Sequence, residues 1–386
     1  MNLLFVYPTV FDPMSGGVER VTDMLAHELH NRGYNVFYLN THRSCKDPKL
    51  DFETFYFPIP DYTNTENNVF LHNLLRKLDI DIVINQCGAH RDSILFNDTG
   101  NTRAKSISVI HFNPSMSYNH YWHELAYLRD HTFSEKLKRI ARCILFWKLK
   151  STYRNRLCNH YNWLFKHTDK ICLLSHKFIP ELKEFSIPNY NHLKVTTINN
   201  PIYIPEKSLN IKDNIVIWVG RFDLKQKRPD LCLEIWKHIQ PQFPGWKMIM
   251  IGDGKDFNTI VSRYKTIPNV EFTGYSNPIQ YYKRAKILMM TSVFEGWGMV
   301  LAEAMSYSVV PIAFDSFLSL RDLIDNSLQL VKPFNIKEYI NKLTILMSNE
   351  ATLVQLRDVG YKRIHKYSIN AVVDNWENLF DEIITP

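Results

Sequence analysis

Asn214-Ile215-Val216-Ile217-Trp218-Val219-Gly220 is where the chain starts over. Apolar, mostly β-prone residues follow one another and a glycine closes them, which reads as a strand buried on both faces. The same kind of run opens the chain. Leu3-Leu4-Phe5-Val6-Tyr7 is followed by Gly16-Gly17, then by Val18, Val21, Leu25 and Leu29 at helical spacing up to Gly33. After the first opening come short β-rich runs at Asn35–Asn40, 80–86 and 106–111. After the second come a helix over Pro229–Ile239, with proline in its first turn, and runs at 246–251, 270–273, 287–291 and 309–314. Strands alternating with helices predict a parallel sheet covered on both faces. Two such series predict an α/β chain of two doubly wound, Rossmann-like domains.

The expected boundaries are 1–203 and 204–366. Asn200-Pro201-Ile202-Tyr203-Ile204-Pro205, with two prolines and little periodicity, reads as the linker. The segment 367–386 reads as a final helix (Val373, Trp376, Leu379, Ile383) packing back toward the N-terminal domain. Ligands of open α/β sheets bind at the carboxyl ends of the strands, so a cleft between the two domains is the expected site.

Composition narrows the class. At 386 residues, 45% hydrophobic and 22% charged, the chain has an ordinary globular mix, which excludes disorder for most of its length. No apolar run approaches the roughly 18 residues of a spanning helix. Residues 1–8 enter an apolar run with no charged leader, so a secretory signal is not expected. The cysteines at 45, 87, 143, 158, 172 and 232 include no C-x-x-C pair and read as reduced, mostly buried thiols of a cytoplasmic protein. The net charge of +7 is local: segment 135–170 holds ten Lys/Arg against Glu135 and Asp169, and the remainder sums to −1. A patch of that kind implies an anionic surface as partner.

The chemistry concentrates in Phe294-Glu295-Gly296-Trp297-Gly298-Met299-Val300-Leu301-Ala302-Glu303. Two carboxylates stand eight residues apart, one past a strand and one in the first turns of a helix. The backbone N–H groups of Gly298, Met299 and Val300 open that helix, where its dipole favours a phosphate. Glu303 suits ribose hydroxyls, and Glu295 suits a sugar. The rival reading is a solvated acidic loop. Arg221 and Lys227 follow the strand of the second opening. Release of a diphosphate builds negative charge, which a guanidinium fork and an ammonium can absorb.

With these residues in order, the chain resembles the retaining glycosyltransferases of family four, which have the GT-B fold. The resemblance rests on Gly16-Gly17, Val219-Gly220-Arg221, Lys227-Arg228-Pro229-Asp230, Gly252-Asp253-Gly254, Phe272-Thr273-Gly274-Tyr275 and the Glu-x7-Glu pair. It implies that Arg221 and Lys227 hold the diphosphate, that Glu295 and His111 meet the donor sugar, and that Glu303 holds the ribose. It also implies that Gly17 approaches the phosphates and that Tyr275 lies near the base. The acceptor would attack the face from which the diphosphate leaves, with no metal and no other cofactor. Two departures matter. The commoner family spacing is one residue shorter, which makes Lys225 a competitor of Lys227. Ser308 also stands where the family closes the helix with glycine.

The expected substrates are a nucleotide-sugar, uridine diphosphate hexose ahead of guanosine diphosphate mannose, and a glycan or lipid-linked glycan acceptor. The expected setting is cell-surface polysaccharide, capsule or lipopolysaccharide assembly at the inner face of the plasma membrane. The competing functions are a nucleotide-sugar epimerase or phosphorylase of the same fold, and a non-catalytic membrane-binding module.

Segment 135–170 adds Phe133, Leu137, Ile140, Ile144 and Trp147 at three- and four-residue spacing, with most of its cations off that stripe. This reads as an amphipathic helix on an anionic membrane. The alternative is a core-facing helix with a solvated basic face; nucleic acid is not an expected partner. Asp79-Ile80-Asp81 spells a metal-binding Asp-x-Asp but reads as the start of a strand.

Overall fold

The structure is a computed structural model and describes residues 1–7, 11–14, 16–40, 49–59, 64–86, 96–119, 133–206 and 212–385, without side chains at 117, 133–136 and 139. The chain forms two compact units. The first takes most of the chain up to Pro201 together with Ile369–Pro386; the second contains Ile202–Ser368.

The first unit is built on seven parallel strands: β1 (Asn2–Tyr7), β2 (Asn35–Asn40), β3 (Glu53–Tyr56), β4 (Ile82–Asn85), β5 (Lys105–Ile110), β6 (Lys170–Leu173) and β7 (Val195–Thr197). Their order is β3-β2-β1-β4-β5-β6-β7. The chain winds outward from β1 and then returns to its other side, so the crevice of this sheet opens between the carboxyl ends of β1 and β4. Leu3 pairs with Val36 on one side of β1 and with Ile82 on the other. Burial on both faces explains why β1 and β4 are almost wholly apolar.

The second unit repeats the plan with six parallel strands: β8 (Ile215–Val219), β9 (Lys247–Ile251), β10 (Val270–Gly274), β11 (Ile287–Met290), β12 (Val310–Phe314) and β13 (Leu330–Val331). Their order is β10-β9-β8-β11-β12-β13, with the crevice between β8 and β11. One core joins Trp218, Trp236, Met248, Met289 and Tyr339. Two glycines allow backbones to meet at the end of β8. A Cβ on Gly252 (φ +130°) would lie 2.0 Å from the Gly220 carbonyl oxygen, and one on Gly254 (φ +155°) 2.7 Å from that of Phe222.

The segment expected to be a linker is tied down at Ile202, which is buried, bridges Ser368 and donates its N–H to the Tyr367 carbonyl at 2.8 Å. The helix Ile369–Ile384 packs on the helix Gly17–Asn31. Arg32 reaches both Asp374 and Glu377 at 2.6 Å, and these partners, Asp374 foremost, hold its guanidinium well above the ordinary arginine pKa.

Ser308 occupies the left-handed position (φ +59°) that glycine would favour. The cap it completes is regular: Val309 N–H bonds the Ala304 carbonyl and Ser308 N–H that of Met305, both at 2.9 Å. Asp79 and Asp81 share Arg103 at 2.8 Å each, and Asp81 accepts the Asn2 N–H, which is the work of a strand start.

Cys143, Cys158, Cys172 and Cys232 are free thiols, but only the last two are buried. Cys143 is exposed because its helix, Phe133–Ile144, turns little of its surface to the core. Cys45 and Cys87 lie outside the described residues. No helix among the described residues is long and apolar enough to cross a membrane.

Candidate active site

In the second unit the crevice between β8 and β11 collects most of the expected residues. The Lys227 ammonium lies 2.5 Å from Glu295 Oε1, and both side chains are largely buried. The turn that delivers Lys227 is anchored at Asp223, whose carbonyl accepts the N–H groups of Lys227 (3.0 Å) and Arg228 (3.1 Å). Arg228 is itself left-handed (φ +51°) and is held by its guanidinium on Asp230. The Thr291 hydroxyl, just past β11, stands within hydrogen-bond reach of the Lys227 and Arg228 carbonyls and accepts from the Trp218 indole at 3.1 Å. Two strand ends thus position one ammonium.

Arg221 follows β8 at Gly220, is mostly exposed and donates to Gln226 Oε1 at 3.2 Å. Gln226 in turn donates its Nε2–H to the Phe294 carbonyl at 3.2 Å, and its own carbonyl accepts the Val293 N–H at 2.8 Å. Burial pushes the Asp223 carboxyl up, but the Lys225 N–H and the Lys255 ammonium outweigh it and hold the pKa below the ordinary range. The Lys225 backbone thus serves Asp223, whereas Lys227 is the lysine that Glu295 meets.

Gly298 (φ +90°) opens the helix Met299–Ser306. A Cβ there would press on Leu301 and Phe317, so glycine suits the site in both conformation and space. The first amides of this helix, Met299 and Val300, have no residue four positions back within the helix to bond. Glu303 sits on the same helix and accepts from the Tyr282 hydroxyl at 3.0 Å. Tyr282 is buried and stacks on Tyr307, and the buried Lys212 ammonium donates to the carbonyls of both, each at 2.7 Å. Burial lowers the Lys212 pKa to about 8. Tyr275 follows the left-handed Gly274 and is 69% exposed.

The first unit carries the remaining residues. His111 directly follows β5, is buried, and its Nε2 lies 2.7 Å from Gln86 Oε1 at the end of β4. Its Nδ1 has no partner among the described residues. Burial lowers its pKa to about 4, so the ring is neutral at physiological pH. Gly16 caps the helix Gly17–Asn31 in an extended conformation, and a Cβ on it would lie 2.4 Å from Glu19 Oε2. Glu19 is held there by the Tyr7 hydroxyl at 2.6 Å.

Sequence reasoning missed Gln226, Tyr282, Gln86 and Glu19. Each acts through a partner, and only Glu19, at the start of its helix, carries a local signal. Among the described residues, no group of three His, Cys, Asp or Glu side chains is placed to hold a metal ion.

Residues 200–363 match the family described as glycosyl transferases group 1. The amylovoran biosynthesis glycosyltransferase AmsD of Erwinia amylovora is 27% identical over 174 residues, which cover 44% of this chain and 49% of that protein; the match thus spans about half the length of this relative. Among solved structures, the apo form of the lipopolysaccharide outer core galactosyltransferase WaaB superposes with a TM-score of 0.69 at 18% identity, covering 99% of this chain and 100% of that one. Anabaena HepE in complex with UDP and glucose gives 0.70 at 14% identity, covering 99% and 100%. Two Rossmann-like parallel-sheet units are the fold of these GT-B structures, and residues 200–363, less than half of the chain, match the group 1 glycosyl transferases.

Proposed function

We propose that the chain transfers a hexose from a nucleotide-sugar to a glycan or lipid-linked glycan acceptor with retention of configuration, in the assembly of a cell-surface polysaccharide. The observation that carries this reading is the Lys227–Glu295 pair at the β8/β11 crevice, beside the opening of the Met299–Ser306 helix. Bond cleavage places growing negative charge on the diphosphate. Arg221, Lys227 and the amides of Met299 and Val300 offer it fixed positive ends without reorganisation. Glu295 orients Lys227 and, as an acceptor, suits the hydroxyls of the donor sugar. Glu303, oriented by Tyr282, suits the two ribose hydroxyls. Neutral His111 suits a hydrogen bond to the sugar, and Gly16 and Gly17 permit a close backbone approach.

A uridine diphosphate sugar is the donor we favour, supported by HepE, which binds UDP and glucose. In this reading the protein's own cations replace a divalent metal.

Thermal unfolding with uridine, guanosine, adenosine, cytidine and thymidine diphosphates, each with and without EDTA, tests this. At 100 times its dissociation constant a ligand adds about 2.7 kcal/mol, which is several degrees. The expected result is a uridine-selective rise that survives EDTA and is lost in Glu303→Ala. A rise with no nucleotide would overturn the reading, and an unchanged rise in Glu303→Ala would remove the ribose role.

A further inference from the structure

Helix Phe133–Ile144 and the next helix, Phe146–His167, meet at Leu145, where hydrogen bonding barely pauses. Leu145 N–H bonds the Ala141 carbonyl and Leu149 N–H that of Leu145, both at 2.9 Å. The helical spacing therefore runs through the junction. Leu137, Ile140, Ile144 and Trp147 fall within about 80° of one another around the axis, along about 15 Å of helix.

The Phe133 side chain of this stripe lies outside the described residues; for the other four the core-facing alternative is excluded by where their side chains stand. Leu137 is 51% exposed, Ile140 54%, Ile144 77% and Trp147 78%. Leu145 beside them is 48% exposed. So many large apolar side chains on about three turns are not incidental surface. The partner that would cover them is constrained by charge. Between residues 136 and 168 the sequence has nine Lys/Arg and no Asp or Glu. Lys138, Arg142 and Lys148 flank the stripe and are exposed. Lys150 and Arg154 are instead occupied over the Tyr118 and Phe185 rings.

We infer that the face bearing Leu137, Ile140, Ile144 and Trp147 docks on an anionic lipid surface, its aliphatic side chains among the acyl chains and Lys138, Arg142 and Lys148 at the headgroups. An apolar stripe under a cationic collar matches such a surface in both of its layers. A second copy of the chain would bring the same positive charge face to face with itself, which an isologous contact cannot avoid. A nucleic acid would find one stacking platform, Trp147, among the aliphatic side chains of Leu137, Ile140 and Ile144. The inference stands on this face alone and does not rest on the glycosyl-transfer reading.

The test is sedimentation of the full chain with vesicles of phosphatidylcholine alone or with one quarter phosphatidylglycerol, at low and high salt. The expected result is binding that needs phosphatidylglycerol and weakens with salt. Lys138→Ala/Arg142→Ala/Lys148→Ala should weaken it roughly a hundredfold. Ile144→Glu/Trp147→Glu should weaken it at least as much. Both variants change exposed positions, so an unaltered unfolding temperature checks that they fold, and a retained response to uridine diphosphate keeps this result separate from the transfer reading. No binding to anionic vesicles, or equal binding by parent and variants, overturns the inference. So does a parent dimer in light scattering that Ile144→Glu/Trp147→Glu makes monomeric, or tighter binding to a single-stranded oligonucleotide than to the vesicles.

Discussion

At 2.5 Å the Lys227 ammonium and Glu295 carboxylate satisfy each other in a crevice largely closed to water. Lys225, two residues earlier, uses its backbone N–H to brace Asp223. Lys227→Ala should therefore lower glycosyl transfer on the order of 10²- to 10³-fold, the usual scale for losing one fixed group on developing charge. Lys225→Ala should cost less than tenfold. Initial rates of both variants decide this, and the reverse ranking would hand the diphosphate to Lys225. His111 makes a separate prediction. In the unfolded chain it takes up a proton near pH 6.5; burial in the fold lowers this to about 4. Between those values the unfolded chain binds the extra proton, so this contribution to stability is complete above about pH 6.5 and is lost as pH falls toward 4. Its upper limit is on the order of 3 kcal/mol. Urea unfolding of parent and His111→Gln at pH 7.5 and 5 should show the smaller pH dependence in the variant; parallel curves would contradict a buried neutral ring.

Helix ends show a different balance. Ser308 holds a left-handed angle of +59° in a cap whose two hydrogen bonds are complete. A Cβ in that region costs about 1–2 kcal/mol, partly offset by the extra freedom glycine has when unfolded. Ser308→Gly should thus raise stability by roughly 0.5–1 kcal/mol, and Ser308→Val should lower it by more. Calorimetric unfolding of both variants checks the sign. Elements as a whole were legible where their residues were uniform. The runs 3–7 and 215–219 declare buried strands because parallel sheets demand apolar residues on both faces. β3, β6, β7 and β13 were not legible: Glu53–Tyr56 and Val195–Thr197 are only part-buried, Lys170–Leu173 follows directly on a long basic helix, and Leu330–Val331 is two residues long. The site divides in the same way. Arg221, Lys227, Glu295 and Glu303 lie in local patterns at strand ends and helix starts. Gln86 on His111 and Tyr282 on Glu303 are pairings 25 and 21 residues apart, which only the folded sheet brings together.

The whole molecule has an asymmetry between its units. Ile202–Ser368 is continuous in sequence, whereas the first unit is completed by Ile369–Pro386, which the chain supplies only after the second unit has been made. The returning helix buries Val372, Val373, Trp376, Leu379 and Phe380. At about 1.5–3 kcal/mol for each large apolar side chain, that burial is comparable to the whole stability of a domain, about 5–15 kcal/mol. Arg32 adds its two acidic partners on the same helix, Asp374 and Glu377. A fragment ending at Pro201 should therefore fail to fold cooperatively, and a peptide of residues 369–386 added in trans should restore its unfolding transition. The fragment Ile202–Ser368 carries its own core and the Lys227–Glu295 crevice, and it should fold alone and keep its response to nucleotide diphosphates. Circular dichroism and thermal unfolding of the two fragments decide the matter. Cooperative unfolding of 1–201 without the peptide would mean that the last helix only decorates a sheet that stands without it.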